Sequence, residues 1–409
     1  MAIKGADSSA SKQSENTTIE DRGAGRDASD DALVQKKARI LEACERRDLD
    51  HLKDLAVSSG GLMDDELRSQ AWPILLGFNA DMPGVGPTRD GSGTEKPESW
   101  QHLPRHQDED QVKLDVDRSF VYYPHDDTPA ELDDKKAALQ ELIVEVLRRH
   151  SYLHYFQGYH DICQVFLLVL PPALRAPALR RLSVLRIRDF MLPNLSPALA
   201  QLRLIPSILY AVDPVLTAHL GRIEPYFALA DTLTMFAHNV QRYASIARLF
   251  DALIAREQVF CLYVFARTIL HRRAELLATD EADMLHFTLS KLPQDLDLDA
   301  IIRDAAALFA AHPPESLHAW RRGISNASVL KTTRHIEAAT RQTLDDGRRF
   351  FDRQLRELEW VERRQRILAA AWRNRALMLT IVVGVGAVYL RKTGFWSGVL
   401  AWGSRLGRS

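Results

Sequence analysis

Two polar side chains, Arg118 and Gln157, are the residues of this sequence best suited to chemistry. Arg118 ends the acidic stretch QDEDQVKLDVDR and is followed at once by an aromatic cluster, and Gln157 lies in YFQGYHDI. An arginine supplies a fixed positive fork, and a glutamine side chain both donates and accepts hydrogen bonds. Each residue alone has a structural alternative, which is a surface ion pair for the arginine and a helix-capping or buried amide for the glutamine.

The residues next to these two are predicted to hold them in place. Asp115 precedes Arg118 by three positions, and on a helix this spacing lets its carboxylate steer the arginine side chain. Tyr155 lies two residues before Gln157 and is expected to pack against it and orient it. Asp161 is expected to accept a hydrogen bond that fixes the loop bearing Gln157.

Arg68 and Trp72 form a further pair, in the stretch RSQAW. They are four residues apart, so they lie on the same face of a helix. We expect this pair to hold the fold together and not to contact a reacting group.

The distribution of possible ligands argues against a metal site. His154, His160 and Asp161 are close in sequence, but their spacing supplies no third or fourth partner, so packing or hydrogen bonding explains them better. The three cysteines are far apart and lack CxxC spacing, which supports neither a disulfide framework nor a zinc site. No metal site is predicted.

Hydrophobic periodicity predicts helices over almost the whole chain between its two ends. The segment PAELDDKKAALQELIVEVLRRHS begins with a proline suited to a first helical turn and carries its leucines, isoleucine and valine on one face. Further apolar helical stretches, broken by prolines and with little period-2 alternation, follow between residues 156 and 310. The predicted fold class is therefore all-α. The near balance of 53 Lys plus Arg against 54 Asp plus Glu gives no general electrostatic reason to bind nucleic acid.

Composition divides the chain into four predicted regions. Residues 1–30 have the polar composition of a disordered tail. Residues 31–320 are predicted to form the helical domain, and the charged residues 321–372 a helical stalk with a thin apolar stripe. Residues 373–409 are predicted to contain a membrane anchor and a short tail.

The anchor prediction depends on ALMLTIVVGVGAVYL, residues 376–390. This uncharged run gives about 22 Å of helix, less than the roughly 27 Å of a thin endoplasmic reticulum bilayer. Arginines on both sides can extend the span by snorkelling. A buried core helix is the alternative, and the second uncharged run, TGFWSGVLAWGS, could return through the membrane or lie on its surface. Because the N-terminus lacks the apolar segment of a secretory signal, the position predicts a tail anchor with the body in the cytosol.

Three short motifs occur in a fixed order: R-x-x-x-W at residues 68–72, V-x-x-D-x-x-R at 112–118 and Y-x-Q-G at 155–158. In this order they resemble the motifs of TBC-domain Rab GTPase-activating proteins. The later stretch TLTMFAHNVQRYASIARLFDALI also resembles a segment of that family, and the resemblance covers about residues 60–310. Val112 stands where the family usually has isoleucine, and Met235 where a tryptophan is common.

The sequence YHDI follows Gln157 and Gly158, where many members of the family have Met-Asn. This variant resembles the small subfamily that a C-terminal membrane segment anchors in the endoplasmic reticulum. The resemblance therefore agrees with the anchor prediction and implies a location at the endoplasmic reticulum membrane, or the early Golgi.

The resemblance implies a multi-helical TBC-type domain whose partner is a Rab-family small GTPase in its GTP-bound form. GTP hydrolysis spreads negative charge over the transferred phosphoryl group, so a cation and a water-orienting carboxamide accelerate it. By motif position, Arg118 would be the arginine finger and Gln157 the glutamine finger, both supplied in trans. The protein would need no cofactor of its own, since GTP and Mg²⁺ belong to the partner.

Two other classes of function stay open at this point. A membrane-bound helical adaptor would bind a GTPase without stimulating it, although it would have no need to retain both Arg118 and Gln157. A soluble α-helical scaffold would bury the hydrophobic tail instead of inserting it in a bilayer.

Overall fold

The computed structural model describes residues 17–78, 99–221, 223–293, 296–373, 384, 385 and 388, and within these ranges it contains helices and no β-strand. The all-α prediction is confirmed. The first ten helices are α1 (Thr17–Arg46), α2 (Leu49–Val57), α3 (Asp65–Leu75), α4 (Glu109–Val116), α5 (Pro129–Arg149), α6 (Tyr159–Val169), α7 (Pro172–Arg181), α8 (Ser196–Leu202), α9 (Leu204–Val212) and α10 (Pro214–Leu220). The next ten are α11 (Leu229–Leu233), α12 (Tyr243–Ala255), α13 (Phe260–His271), α14 (Arg273–Leu277), α15 (Ala282–Leu289), α16 (Leu298–Ala311), α17 (His318–Gly323), α18 (Val329–Thr332), α19 (Ile336–Arg341) and α20 (Leu344–Arg373).

Local sequence explains where the best-defined helices begin. The Asp64 carboxylate accepts a hydrogen bond from the backbone N–H of Leu67 and so caps α3. Helix α5 starts with a capping box, in which Thr128 and Glu131 each bind the other's backbone N–H, and Pro129 occupies the first helical position. These side chains satisfy N–H groups that have no partner inside the helix.

The core near the predicted site is an aromatic cluster contributed by α3, α6 and α12. The Trp72 ring lies 5.5 Å from that of Phe166 and 6.0 Å from that of Phe250, measured between centroids. All three rings are buried. Burying rings of this size contributes about 1.5–3 kcal/mol each, so the cluster gives the ends of these helices a rigid base.

Helix α4 is short, and it is held by its neighbours. It packs against α5 and α6. Glu109 in its first turn binds Arg148 of α5 through two parallel hydrogen bonds, Nε to Oε1 at 2.7 Å and Nη2 to Oε2 at 2.9 Å. A bidentate pair fixes direction as well as distance. The C-terminal end of α4, where Arg118 follows, is therefore held in place.

The chain divides into two compact units, Met1–Phe351 and Asp352–Ser409. Helices α17 to α19 belong to the first unit and contribute buried residues to it, including Trp320, Leu330 and Ile336. The sequence-predicted boundary between domain and stalk, at 320/321, thus falls inside the first unit. The predicted boundary at 30/31 falls inside α1.

Within the ranges that the structure describes, no helix combines the length and the apolar character needed to cross a bilayer. The run predicted as an anchor, residues 376–390, lies outside the described residues apart from Gly384, Val385 and Val388, which are helical. Residues 79–98, between α3 and α4, also lie outside them. The anchor therefore stays a prediction.

Candidate functional site

Arg118 lies just beyond the end of α4. The helix ends at Val116, and the backbone N–H of Arg118 donates to the carbonyl of Asp115 at 3.1 Å in the turn that follows. Its side chain is exposed, and among the described residues it makes no hydrogen bond or ion pair. Among the described residues, Arg118 therefore does not form the surface ion pair that was its structural alternative.

Gln157 lies in the turn that leads into α6. It is exposed, and its amide also has no hydrogen-bond partner among the described residues. Gly158, which follows, has φ +99° and is the N-cap of α6. A β-carbon at Gly158 would lie 2.6 Å from Cγ2 of Thr234. Glycine is therefore required twice here, for its left-handed backbone and for the close approach.

The Tyr155 side chain joins the two segments that carry Arg118 and Gln157. Its hydroxyl donates to Oδ2 of Asp115 at 2.9 Å, and its backbone N–H donates to Oδ2 of Asp108 at 2.9 Å. Burial, followed by the charge of Asp115, raises the pKa of Tyr155 well above its usual value, so the hydroxyl remains a donor. This hydrogen bond holds the backbone segment that carries Arg118 next to the segment that carries Gln157.

The expected direct interaction between the side chains of Asp115 and Arg118 is not present. Its buried carboxylate accepts hydrogen bonds from Tyr155 and, at 3.0 Å, from the amide of Gln111. The physical reason is that α4 ends at Val116, so Arg118 does not continue the helical register on which the three-residue spacing depends. The Asp115 carboxylate holds the turn that carries Arg118 through Tyr155, and it makes no direct contact with the Arg118 side chain.

Asp161 connects the start of α6 to a third segment, the turn before α12. Its Oδ2 lies 3.0 Å from Nδ1 of His238, and its Oδ1 lies 3.3 Å from Nε2 of His160. The hydrogen bond to Asp161, opposed by partial burial and supported by the charges of Asp161 and Asp231, raises the pKa of His238. Asp161 thus accepts a hydrogen bond near Gln157, as the sequence led us to expect, and the donor is His238.

Gln164 is a site residue that sequence reasoning missed. This buried side chain of α6 accepts from the backbone N–H of Phe120 at 3.0 Å and donates to the carbonyl of Tyr123 at 3.3 Å. It therefore holds the segment directly after Arg118, where Phe120 has a positive φ of 64°. The available signal was a single amide in the otherwise apolar stretch CQVFLLV.

The turn that carries Met235 is a second region that sequence reasoning did not anticipate. Met235 and Phe236 are both buried and both have positive φ, at 50° and 68°. Their turn is closed by the backbone N–H of Phe236, which donates to the carbonyl of Asp231 at 2.7 Å. Left-handed backbone at bulky residues is uncommon and persists only where the surroundings impose it.

Arg68 and Trp72 lie away from these residues and share the carboxylate of Asp251. Arg68 Nε and Trp72 Nε1 donate to Oδ1 of Asp251 at 3.0 and 2.9 Å, and the backbone N–H of Leu62 donates to Oδ2 at 3.0 Å. Asp251 is completely buried in α12. The pair from RSQAW therefore connects α3 to α12 and does not contribute to the cleft described next.

Arg118 and Gln157 line one cleft with a volume of about 920 Å³. Asp115, Tyr155 and Asp161 line it as well. Exposed apolar side chains form part of its edge, namely Val121, Tyr122, Leu195 and Tyr226. Among the described residues, no group of three or more His, Cys, Asp or Glu side chains is placed to hold a metal ion. The cleft therefore exposes a guanidinium and a carboxamide among apolar side chains.

The fold and the site together define an all-helical domain that offers two exposed polar side chains from adjoining turns. Two solved structures share this fold. They are the TBC domain of a Chlamydomonas flagellar RabGAP, at TM-score 0.53 and 15% identity over 72% of this chain and 96% of that one, and the Ypt/Rab-GAP domain of Gyp1p, at TM-score 0.53 and 14% identity over 68% and 98%. At such identities the likeness concerns the fold alone.

Sequence comparison adds the family. The model of the Rab-GTPase-TBC domain matches residues 65–277. The chain is 33% identical to TBC1 domain family member 20 of Mus musculus over 80% of each chain, and 32% identical to the GTPase-activating protein gyp10 of Schizosaccharomyces pombe over 74% of this chain and 79% of that one. This protein belongs to the Rab-GTPase-TBC domain family, and the sequence-based recognition is confirmed.

Proposed function

We propose that this protein stimulates GTP hydrolysis by a Rab-family GTPase and that Arg118 and Gln157 enter the partner's nucleotide site. The observation that carries the proposal is that both side chains are exposed, have no partner among the described residues and line one cleft. Two relatives are named as GTPase-activating proteins, which supports a GTPase as the partner.

The two side chains would divide the chemistry between them. Arg118 would place its guanidinium against the negative charge that develops on the transferred phosphoryl group, and Gln157 would orient the attacking water. An arginine supplied in trans accelerates such a reaction about 10³ to 10⁵-fold, or roughly 4–7 kcal/mol of barrier. GTP and Mg²⁺ would come with the partner in its GTP-bound form, and this chain would supply no cofactor.

Preorganisation supports the same proposal. The Asp115–Tyr155 bond and the Gln164 contacts fix both turns before a partner arrives. Turns that are already held in place reduce the reorganisation needed when the two side chains meet the reacting group. The side chains of Arg118 and Gln157 remain free to move into the partner, because only their backbone is held.

The test is single-turnover GTP hydrolysis by a panel of Rab proteins with the full chain in detergent. We expect acceleration of one or a few Rab proteins, and a loss of about 10²-fold or more with Arg118→Ala, Arg118→Lys or Gln157→Ala. Lysine should fail because it lacks the planar fork. Lys113→Ala is the matched control, since Lys113 is exposed on α4 and does not line the cleft.

The adaptor alternative has a distinct signature in this assay. A folded protein that binds a GTP-loaded Rab but accelerates none of the panel would reject the proposal in favour of an adaptor. If Arg118→Ala and Gln157→Ala stimulate GTP hydrolysis as well as the wild type, the protein is still a GTPase activator. The proposed roles of Arg118 and Gln157 would then be wrong.

We propose further that the protein acts at the endoplasmic reticulum or early secretory membrane, held by the apolar run 376–390. The support is the sequence itself, an uncharged run flanked by arginines. Carbonate extraction of cell membranes tests it. Retention in the membrane pellet is expected, whereas release into the supernatant would favour the soluble scaffold with a buried tail.

A further inference from the structure

The second compact unit exposes an apolar surface on the C-terminal part of α20. Four large side chains on this helix are exposed by more than half: Trp360 (60%), Ile367 (61%), Leu368 (56%) and Trp372 (73%). Their spacings of seven, eight and twelve residues from Trp360 place them on one side of a helix. The exposed surface of this part of α20 therefore includes an apolar side.

The charge along the same helix is not evenly distributed. Between Asp352 and Glu362 the helix carries both acids and arginines, and pairs such as Arg353–Glu357 at 3.4 Å lie one turn apart. From residue 363 to residue 373 the helix carries four arginines, at 363, 364, 366 and 373, and no acid. Arg364 lies over the Trp360 ring at 5.6 Å, so this cation is next to the apolar side.

Helix-terminus electrostatics does not account for this cationic stretch. The interaction of a cation with the helix dipole is confined to about the last turn. Only Arg373 lies there, whereas Arg363, Arg364 and Arg366 lie two or more turns earlier. A solvated face would also have no reason to expose two tryptophans.

We propose that the C-terminal part of α20, residues 360–373, lies on an anionic membrane surface with Trp360, Ile367, Leu368 and Trp372 in the headgroup region. Helices of this type combine an apolar side with cations that meet anionic lipid and tryptophans that suit the interface. The chain continues from α20 directly into the apolar run 376–390, so the membrane is the surface that this end of the helix would meet. The inference rests on the proposed membrane location, which carbonate extraction tests separately, and not on the proposed GTPase-activating function.

Site-directed fluorescence on the full chain tests the proposal without interference from the apolar run. The three native cysteines are buried, so a polarity-sensitive dye can be directed to an introduced cysteine. Ile367→Cys places the dye on the apolar side of α20, and Glu359→Cys places it at an exposed polar position, roughly 80° around the helix, as the matched control. Both labelled proteins are reconstituted in vesicles of phosphatidylcholine with about one third phosphatidylserine, a composition that supplies the negative surface potential.

We expect dye at residue 367 to shift to the blue and to be quenched by brominated lipid, while dye at 359 reports water. Neutralising Arg363, Arg364 and Arg366 to glutamine should cut the quenching at 367 severalfold, whereas Arg353→Gln with Arg356→Gln should leave it unchanged. Equal exposure to water at 367 and 359 would overturn the proposal. A blue-shifted dye at 367 that brominated lipid does not quench would also overturn it, since a protein surface would then cover this side.

Discussion

The pH dependence of the His238–Asp161 pair is the prediction that belongs to single residues. The hydrogen bond between His238 and Asp161 raises the pKa of His238 above 6.5. The folded protein therefore holds this proton more tightly than the unfolded chain does. The stabilisation is fully present below about pH 6.5 and is lost as the pH rises through the folded pKa. We expect the melting temperature to fall in His238→Gln at pH 6 and to match the wild type at pH 8.5.

A comparison at each pH is needed because His238 is not the only group that titrates there. Burial raises the pKa of Asp231 to about 7, and the charges of Asp231 and Asp161 both act on His238. His160 contacts the other carboxylate oxygen of Asp161. Asp231 titrates in both proteins, so the difference in melting temperature between wild type and His238→Gln at one pH removes its direct contribution. In an Asp161→Asn background the same substitution should change nothing at either pH, and a persistent difference there would assign the effect to another acid.

At the scale of an element, the turn between Gln157 and α6 is predicted to tolerate no side chain at Gly158. Gly158→Ala would strain the left-handed backbone and press a β-carbon against Thr234. We expect a loss of about 1–3 kcal/mol in the free energy of unfolding and a further loss of GTPase stimulation, since Gln157 moves with the turn. Chemical denaturation and the single-turnover assay measure the two effects.

Two further variants separate strain from collision at this turn. Thr234→Ser removes the methyl group that lies 2.6 Å from the new β-carbon and keeps the hydroxyl that donates to the carbonyl of Ala230. It should recover part of the loss in Gly158→Ala, because the backbone strain remains. Gly323→Ala, with open space around its β-carbon position, is the neutral control. Full activity in Gly158→Ala would mean that the turn does not position Gln157.

How far the sequence predicted the structure depends on how local each interaction is. Helix α5 was predicted from local periodicity and from the proline in its first turn, and the family motifs pointed to Arg118 and Gln157. The bond between Tyr155 and Asp115 spans 40 residues and that between Arg68 and Asp251 spans 183, so no spacing rule could reveal either partner. The direct contact expected between Asp115 and Arg118 failed for a local reason, since it assumed that α4 continues past Val116.

At the scale of the whole molecule, two arginines of the family motifs are predicted to fail in opposite ways. Arg68→Ala leaves the buried carboxylate of Asp251 without its cation, which costs about 3–5 kcal/mol of folding stability. Because Arg68 lies outside the cleft, the remaining folded protein should stimulate GTP hydrolysis normally at low temperature. Arg118→Ala removes an exposed side chain with no described partner, so its melting temperature should equal that of the wild type while stimulation collapses.

Thermal unfolding and single-turnover stimulation, measured on the same preparations, decide between these expectations. The comparison requires activity per folded molecule, because Arg68→Ala lowers the amount of folded protein. A stable Arg68→Ala protein that cannot stimulate would place Arg68 in the interaction with the partner. A destabilised Arg118→Ala protein would mean that Arg118 holds the fold, and its loss of stimulation would then say nothing about a finger. If each variant fails in only its expected measurement, Arg68 maintains the domain and Arg118 acts on the partner.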